Sequence, residues 1–482
     1  MKKLMQKPHQ SRTVLDSEHV GQLLFKLAMP AFFGMFVQTL YNVVNTIFLG
    51  HTVHGDQAIA GLSIVFPVQM IFMGVGMMVG MGGTSLISRF IGSGQHEKAE
   101  RVLGNGITSI IILAAALTAV LLPNVNGFLR LIGASDEVLP YARQYLVIIV
   151  SGMVFNLIGM VLLNYIRAEG NARVAMIASI IGAGINIVLD SIFIVGLNMG
   201  VTGAAMGTVI AQSIALIYMS IFYLSQSSYL KFHTRNMRLD RQILKQMFSI
   251  GVASFVQTIA GSLSALLLIR EVVLYGGDIY LSAFGIIQRV MMFATMPAMV
   301  IGQGVQPILG FNFGAKRFSL ALKAFKIAAL SSTILSVLSF LLLIFIPNSI
   351  IKVFSNDPAL VAAGAHASRL VFWSMPIMGF VMVGSTSFMS LGKAAQAFIT
   401  ALARPVLFLI PAALVLPRLL GINGVFLSFP TSDGLTLVLT ILLLIPIFRE
   451  FRKAAAEQKH DVTGLLAPAR VLSSEESQPI IE

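Results

Sequence analysis

The stretch Ile180–Gln212, IIGAGINIVLDSIFIVGLNMGVTGAAMGTVIAQ, decides how the chain is read. It consists of two apolar helical runs joined by a short turn, with one carboxylate, Asp190, set deep in the first. Asn186 precedes Asp190 by four residues, so both side chains share one helical face. A lone carboxylate in hydrocarbon is costly unless it is protonated, ion-bound or faces water. Asp190 is therefore the first functional candidate.

The rest of the chain has the same character. Of 482 residues, 56% are hydrophobic and only 11% are charged, against roughly 25% charged in soluble domains. The apolar stretches reach the roughly 20 residues needed to cross a bilayer. Twelve spans are predicted, over about 24–49, 57–83, 102–123, 139–163, 174–196, 202–225, 247–274, 281–306, 319–346, 362–387, 395–418 and 423–447. The absence of cysteine excludes disulfides, thiolate metal sites and cysteine nucleophiles.

The net charge of +13 does not point to nucleic acid, because the basic residues sit in short loops and form no basic domain. An even number of spans puts both termini on one side. With the termini inside, the inner segments carry 25 of the 33 Lys and Arg residues, which places both termini in the cytoplasm. The N-terminal residues are basic and polar without the apolar core of a signal peptide, so the first span should direct the chain to the inner membrane.

The longest internal loop, 226–246, falls at the midpoint and reads as a cytoplasmic linker. It separates an N-lobe over 24–225 from a C-lobe over 247–447. Residues 1–23 form a cytoplasmic N-terminal segment, and 448–482 a charged, then polar, tail expected to be disordered. An internal repeat supports the division. Gly80, Gly82, Gly92 and Gly170 recur 222 residues later as Gly302, Gly304, Gly314 and Gly392, and Gly200-Val-Thr-Gly203 matches Gly421-Ile-Asn-Gly424. An even number of helices per repeat gives both lobes one orientation, so the expected fold is all-α, two six-helix lobes related by a pseudo-twofold along the membrane normal. Such lobes can rock around a central cleft.

Counting from the span ends places Asn45, Asn186, Asp190 and Thr208 within about one helical turn of the same depth. Their carboxylate, amide and hydroxyl oxygens suit a monovalent cation or a proton, and no other metal site is expected. The cluster has no second copy: Asp190 corresponds to Ala412 and Asn45 to Leu267. The C-lobe carries its own intramembrane charges, Arg289, Arg404 and Asp433, of which Arg404 and Asp433 lie on adjacent spans and can neutralise each other. Gln38, Tyr41, Gln69, Met73 and Met77 on the first two spans, with Arg289 and Asp433, are candidates for a cavity wall suited to an amphipathic ligand. His51 and His54 are too few for a metal site. No GxxxxGK[ST], HExxH or GxSxG motif is present, so no enzyme is expected, and transport would have to draw on an ion gradient.

Five stretches carry a resemblance: LYNVVNTIFLG (Leu40–Gly50), SRFIGSGQHEKA (Ser88–Ala99), INIVLDSIFI (Ile185–Ile194), GVTGAAMGT (Gly200–Thr208) and FSNDPALV (Phe354–Val361). Together they resemble the multidrug and toxic compound extrusion (MATE) family, from Val20 to about Arg452, and within it the DinF/MepA-like branch. The resemblance implies a monomer in membrane lipid that exports bulky, often cationic organic compounds by antiport against Na⁺ or H⁺, with no cofactor. It also implies that Asn186, Asp190 and Thr208 bind the cation. Many members have aspartate where this chain has Asn45, which leaves Na⁺ and H⁺ both open. A flippase of lipid-linked precursors, an exporter dedicated to one natural product or toxin, and a non-transporting membrane scaffold are the alternatives.

Overall fold

The computed structural model describes residues 14–50, 55–225 and 227–465. His51 and His54 lie outside them. Among the described residues there is no strand, and eleven helices are long and apolar enough to cross a membrane.

In the first half these are α1 (Val20–Gly50), α2 (Gly55–Gly92), α3 (His96–Leu121), α5 (Leu139–Ala168), α6 (Ala172–Asp190) and α7 (Gly200–Leu224), with a short α4 (Val125–Leu131) between α3 and α5. The second half opens with α8 (Arg241–Gly314), followed by α9 (Phe318–Phe345) and a short α10 (Pro347–Lys352). Helices α11 (Pro358–Val371) and α12 (Met375–Ser390) together make one crossing, as do α13 (Ala394–Leu402) and α14 (Ile410–Leu420). The last helix is α15 (Ile422–Leu465).

Helix α8 is two crossings in one. Gly277 breaks it with φ 65° and ψ −163°, a conformation open to glycine and closed to side chains with a Cβ. The expected twelve spans are thereby present as eleven continuous helices. Of the tail expected to be disordered over 448–482, the described part continues α15 to Leu465, and residues 466–482 lie outside the described residues. Phe451 explains why: it is buried against Phe313 and Phe318, and Gln458 donates to the Lys316 carbonyl from the next turns. Pairing an aromatic anchor with helix propensity outweighs the polar composition that suggested disorder.

The repeat is visible as paired contacts. A Cβ on Gly80 would meet Asn164 Nδ2 at 2.9 Å, and one on Gly302 would meet Thr386 Oγ1 at 3.2 Å; Asn164 and Thr386 are themselves 222 residues apart. Gly92 lies on the carbonyl of Phe311 and Gly314 on that of Arg89, again equivalent positions. Ser88 and Gly310 are equivalents that touch each other. Two points related by a twofold can touch only beside its axis, so the axis runs between them.

These contacts cluster at one face, the one where α1 begins and α15 leaves the bundle, here called the termini face. There Gly82 packs on the Met247 carbonyl, Gly251 on that of Met78, and Gly304 on Ala28. Ser85 Oγ donates across the seam to the Met389 carbonyl, and Arg167 donates to Gln303 Oε1 at 3.0 Å. Toward the opposite face Phe36, Leu40 and Val43 on α1, Phe66 and Met73 on α2, and Leu263 and Leu266 on α8 are exposed. Among the described residues the last glycine contact between halves on that side is Gly74 on Phe255. Among the described residues the glycine contacts between the halves thus gather toward the termini face.

Residues before α1 reinforce the closed face. Leu15 is fully buried over Gly170, whose φ of 90° turns the α5–α6 loop, while Asp16 pairs with Arg317 of the second half. The connection into α8 is pinned to the first half. Asn105 donates to the carbonyls of Asn236 and Arg238 and accepts from the Asp240 amide, and Glu169 accepts from Ser228 Oγ and the Tyr229 amide. Burial pushes the Glu169 carboxyl up to about 7, with the Ser228 and Tyr229 hydrogen bonds opposing.

Two outcomes follow. Gly92→Leu is expected to lower the melting temperature by several degrees, since forcing side-chain atoms against a carbonyl costs about 1–3 kcal/mol or more. Glu169 gives a pH signature. Folded protein holds a proton there up to about pH 7, whereas the unfolded chain has lost it above about 4.5. Stability should therefore fall as pH rises through that window, by on the order of 3 kcal/mol, and Glu169→Gln should flatten the melting-temperature profile.

Candidate functional site

Helix α6 does not stop at Asp190. It widens there into a π-helical stretch, Ser191–Gly196, before the turn into α7. Widened turns shift carbonyls and side chains out of the regular register and are frequent at functional positions. Asp190 and Asn186 are 1% and 2% exposed, so this carboxylate has left bulk water.

Gly207 on α7 is what lets the carboxylate fit. A Cβ there would lie 2.6 Å from Asp190 Oδ1, so the side chain rests against bare backbone. Thr208, the next residue, takes Asn186 Nδ2 on its hydroxyl at 3.4 Å while donating to the Ala204 carbonyl. With the Asn186 amide turned, its nitrogen donates to Asp190 Oδ2 at 3.1 Å and its oxygen accepts from the Thr208 amide at 3.1 Å. This orientation satisfies both groups and spans Asp190, Asn186 and Thr208 in one chain.

Two oxygens are left over. Asp190 Oδ1 and Asn45 Oδ1 are buried without a hydrogen-bond partner. Asn45 sits on α1, which packs along α6, and Tyr41 one turn earlier lies within electrostatic reach of Asp190. The same helical face of α1 therefore turns toward the carboxylate. Orphaned buried acceptors each cost about 1–3 kcal/mol, and a monovalent cation or a proton is the species that would satisfy them.

The proposed cavity residues divide. Gln69 donates to the Tyr145 hydroxyl at 3.1 Å, and Tyr145 also lies within electrostatic reach of Tyr41 and Asp190. Tyr41 and Gln69 thus lie at the rim of the Asp190 cluster. Gln38 and Met73 are exposed on α1 and α2, Met77 is half-buried, and Arg289 is exposed on α8. Asp433 departs from the expected cavity wall. It is 3% exposed, with Arg404 Nε on one oxygen at 2.5 Å and Ser374 Oγ on the other at 2.6 Å. Held on α15 by Arg404 of the stretch Ala403–Leu409 and by Ser374 just before α12, it is removed from any open surface.

Sequence reasoning passed over Gly207 and Tyr145. Gly207 had a signal: Gly200, Gly203 and Gly207 recur at one-turn spacing, the pattern of a helix that admits a close neighbour. Tyr145 had none, since its role depends on α2 and α5 meeting.

Among the described residues, twelve apolar crossings in two related halves, with backbone contacts gathered at one face and one carboxylate buried beside an amide and a hydroxyl in the first half, define a multi-pass membrane protein. The MatE family model matches twice, over residues 30–192 and 250–415, once per half. The multidrug export protein MepA of Staphylococcus haemolyticus is 25% identical over 89% of this chain and 94% of its own length. MepA of Staphylococcus aureus is 25% identical over 90% and 95%. Among solved structures, a MATE protein in complex with MaD3S superposes with a TM-score of 0.86 at 23% identity, covering 91% of this chain and 98% of its own. An outward-facing multidrug resistance MATE family transporter of the MOP superfamily does so at 0.87 and 22%, covering 93% and 100%. The chain belongs to the MatE family, whose members are transporters and not enzymes.

Gly207→Val is expected to weaken cation binding at least tenfold while leaving the fold assembled, by pressing Asp190 off α7. Cation-dependent thermal shift against wild type measures it, and an unchanged dose response would remove Gly207 from the site.

Proposed function

We propose that the protein is a secondary exporter of amphipathic, often cationic organic compounds, driven by entry of one Na⁺ or H⁺ at Asp190. The observation that carries this reading is the buried Asp190 carboxylate with one oxygen satisfied by Asn186 and the other unpartnered. Relatives named as multidrug export proteins support the substrate class. Loops rich in Lys and Arg favour a cytoplasmic termini face, and halves joined at that face would open to the outside. Export follows if the cation, arriving from outside, and the substrate, arriving from inside, favour opposite arrangements of the halves. The chain is taken to work as a monomer, since each copy has both halves and its own cleft.

Two experiments test it. Proteoliposomes loaded with a cationic dye should expel it under an imposed Na⁺ or pH gradient, the effective gradient naming the ion. Asp190→Asn should abolish gradient-driven flux while leaving the melting profile cooperative, and flux that survives sinks the reading. For alternating access, a Cβ on Gly304 lies 3.3 Å from that of Ala28, close to the roughly 3.5–4.5 Å of a disulfide. In this cysteine-free chain, the Ala28→Cys/Gly304→Cys pair is expected to oxidise, halt transport and recover on reduction. Full transport in the oxidised form would show that the seam never opens.

A further inference from the structure

The two halves answer the same electrostatic question differently. Each has one π-helical stretch among the described residues, Ser191–Gly196 in the first and Ala403–Leu409 in the second, and both lie on the fifth crossing of their half. Each stretch adjoins a charged residue that faces the sixth crossing: Asp190 before the first, Arg404 within the second. The second-half stretch holds Pro405, which has no N–H to give the helix. Its loosened carbonyls are collected by side chains: Ser432 Oγ donates to the Arg404 carbonyl at 2.9 Å, and Ser264 Oγ to that of Pro405 at 2.7 Å. Arg404 is thus held by its own backbone at the α15 surface.

The coordination of the two carboxylates is opposite. Asp433 has both oxygens taken, one by Arg404 and one by Ser374. Asp190 keeps a buried oxygen with no partner. The positions are not repeat equivalents. Arg404 corresponds to Gly182 by the 222-residue spacing, and Asp433 to Gln212 by the 221-residue spacing that relates Gly200 to Gly421; they lie about two turns and about one turn nearer the termini face than Asp190 and Thr208. In the first half that level is closed by small residues, a Cβ on Gly182 meeting Ala215 at 3.5 Å. The pair is therefore an addition of the second half rather than a decayed copy of the first site. Among the described residues Arg404 is the charged group paired with Asp433.

We propose that Arg404 is a tethered cation, occupying for Asp433 the place that a free monovalent cation takes at Asp190, so that the second half binds no ion from solution. One cation per transport cycle follows, with Arg404 as the residue that sets the number. This rests on the Asp190 reading for the first half alone; what Arg404 does for Asp433 is independent of it. Removing the guanidinium leaves a buried carboxylate, which costs several kcal/mol unless a new cation arrives, so Asp433 becomes a site for guanidinium, a primary ammonium or Na⁺.

The test uses the purified full-length protein and guanidinium chloride as the probe, with choline chloride as the ionic-strength control. Arg404→Ala is expected to melt lower than wild type and to be raised by about 5 °C or more by millimolar guanidinium. Wild type and the Arg404→Ala/Asp433→Asn double variant should show no such rise. A rise equal in the single and double variants, or none in the single, overturns the proposal. Should Arg404→Ala fail to fold, Arg404→Lys keeps a tethered charge and is expected to ignore guanidinium; a response there is equally fatal. A second measurement needs no change at Arg404. Bound cation is counted in Asp190→Asn and in Asp190→Asn/Asp433→Asn. Cation that persists in the first and vanishes in the second shows that Asp433 takes free ions and overturns the proposal. Cation that persists in both displaces the Asp190 reading and leaves Arg404 as proposed.

Discussion

Backbone touching backbone along the seam between the halves is the constraint on which the rest depends. Gly92 against the Phe311 carbonyl and Gly314 against that of Arg89 bring α2 and the end of α8 as near as helices can come. In hydrocarbon, association has little hydrophobic drive, and close van der Waals fit takes its place. Because the two contacts are equivalent under the repeat, the closed face is centred on the axis. Side chains bridge over this base: Ser85 to Met389, Arg167 to Gln303, and Arg89 laid over Gly392. Without a Cβ-free seam the halves would be held apart at the termini face.

Against that symmetric frame the chemistry is asymmetric. Asp190 needs Gly207 to approach α7, Asn186 to hold one oxygen, and α1 to bring Asn45 near. All of these lie in the first half. The second half holds Asp433 in an internal ion pair braced by Ser374. A duplicated scaffold thus keeps its geometry in the glycines and lets the polar residues diverge.

Much of this was legible in the sequence because hydrophobic length and glycine spacing are local signals. The twelve spans and the 222-residue repeat came from such signals, and the depth count grouped Asn186, Asp190 and Thr208 before any geometry was known. Other features were not legible because they arise from packing. Nothing in LYGGDI says that Gly277 breaks a continuous helix rather than ending one. Asp433 reads as a cavity residue because sequence gives depth and not direction, and Ser374, 59 residues back, decides that it faces inward. The polar tail read as disordered because Phe451 finds its aromatic partners only once α9 is in place.

The residues ahead of α1 carry a consequence for assembly. Leu15 is seated over Gly170 of the first half, and Asp16 is paired with Arg317 of the second. Leu15 and Asp16 leave the ribosome about 300 residues before Arg317 does. Their docking site is complete only when α8 has been inserted and turned, so the start of the chain is among the last parts to settle. Asp16 is thus tied down only in molecules whose two halves have already met.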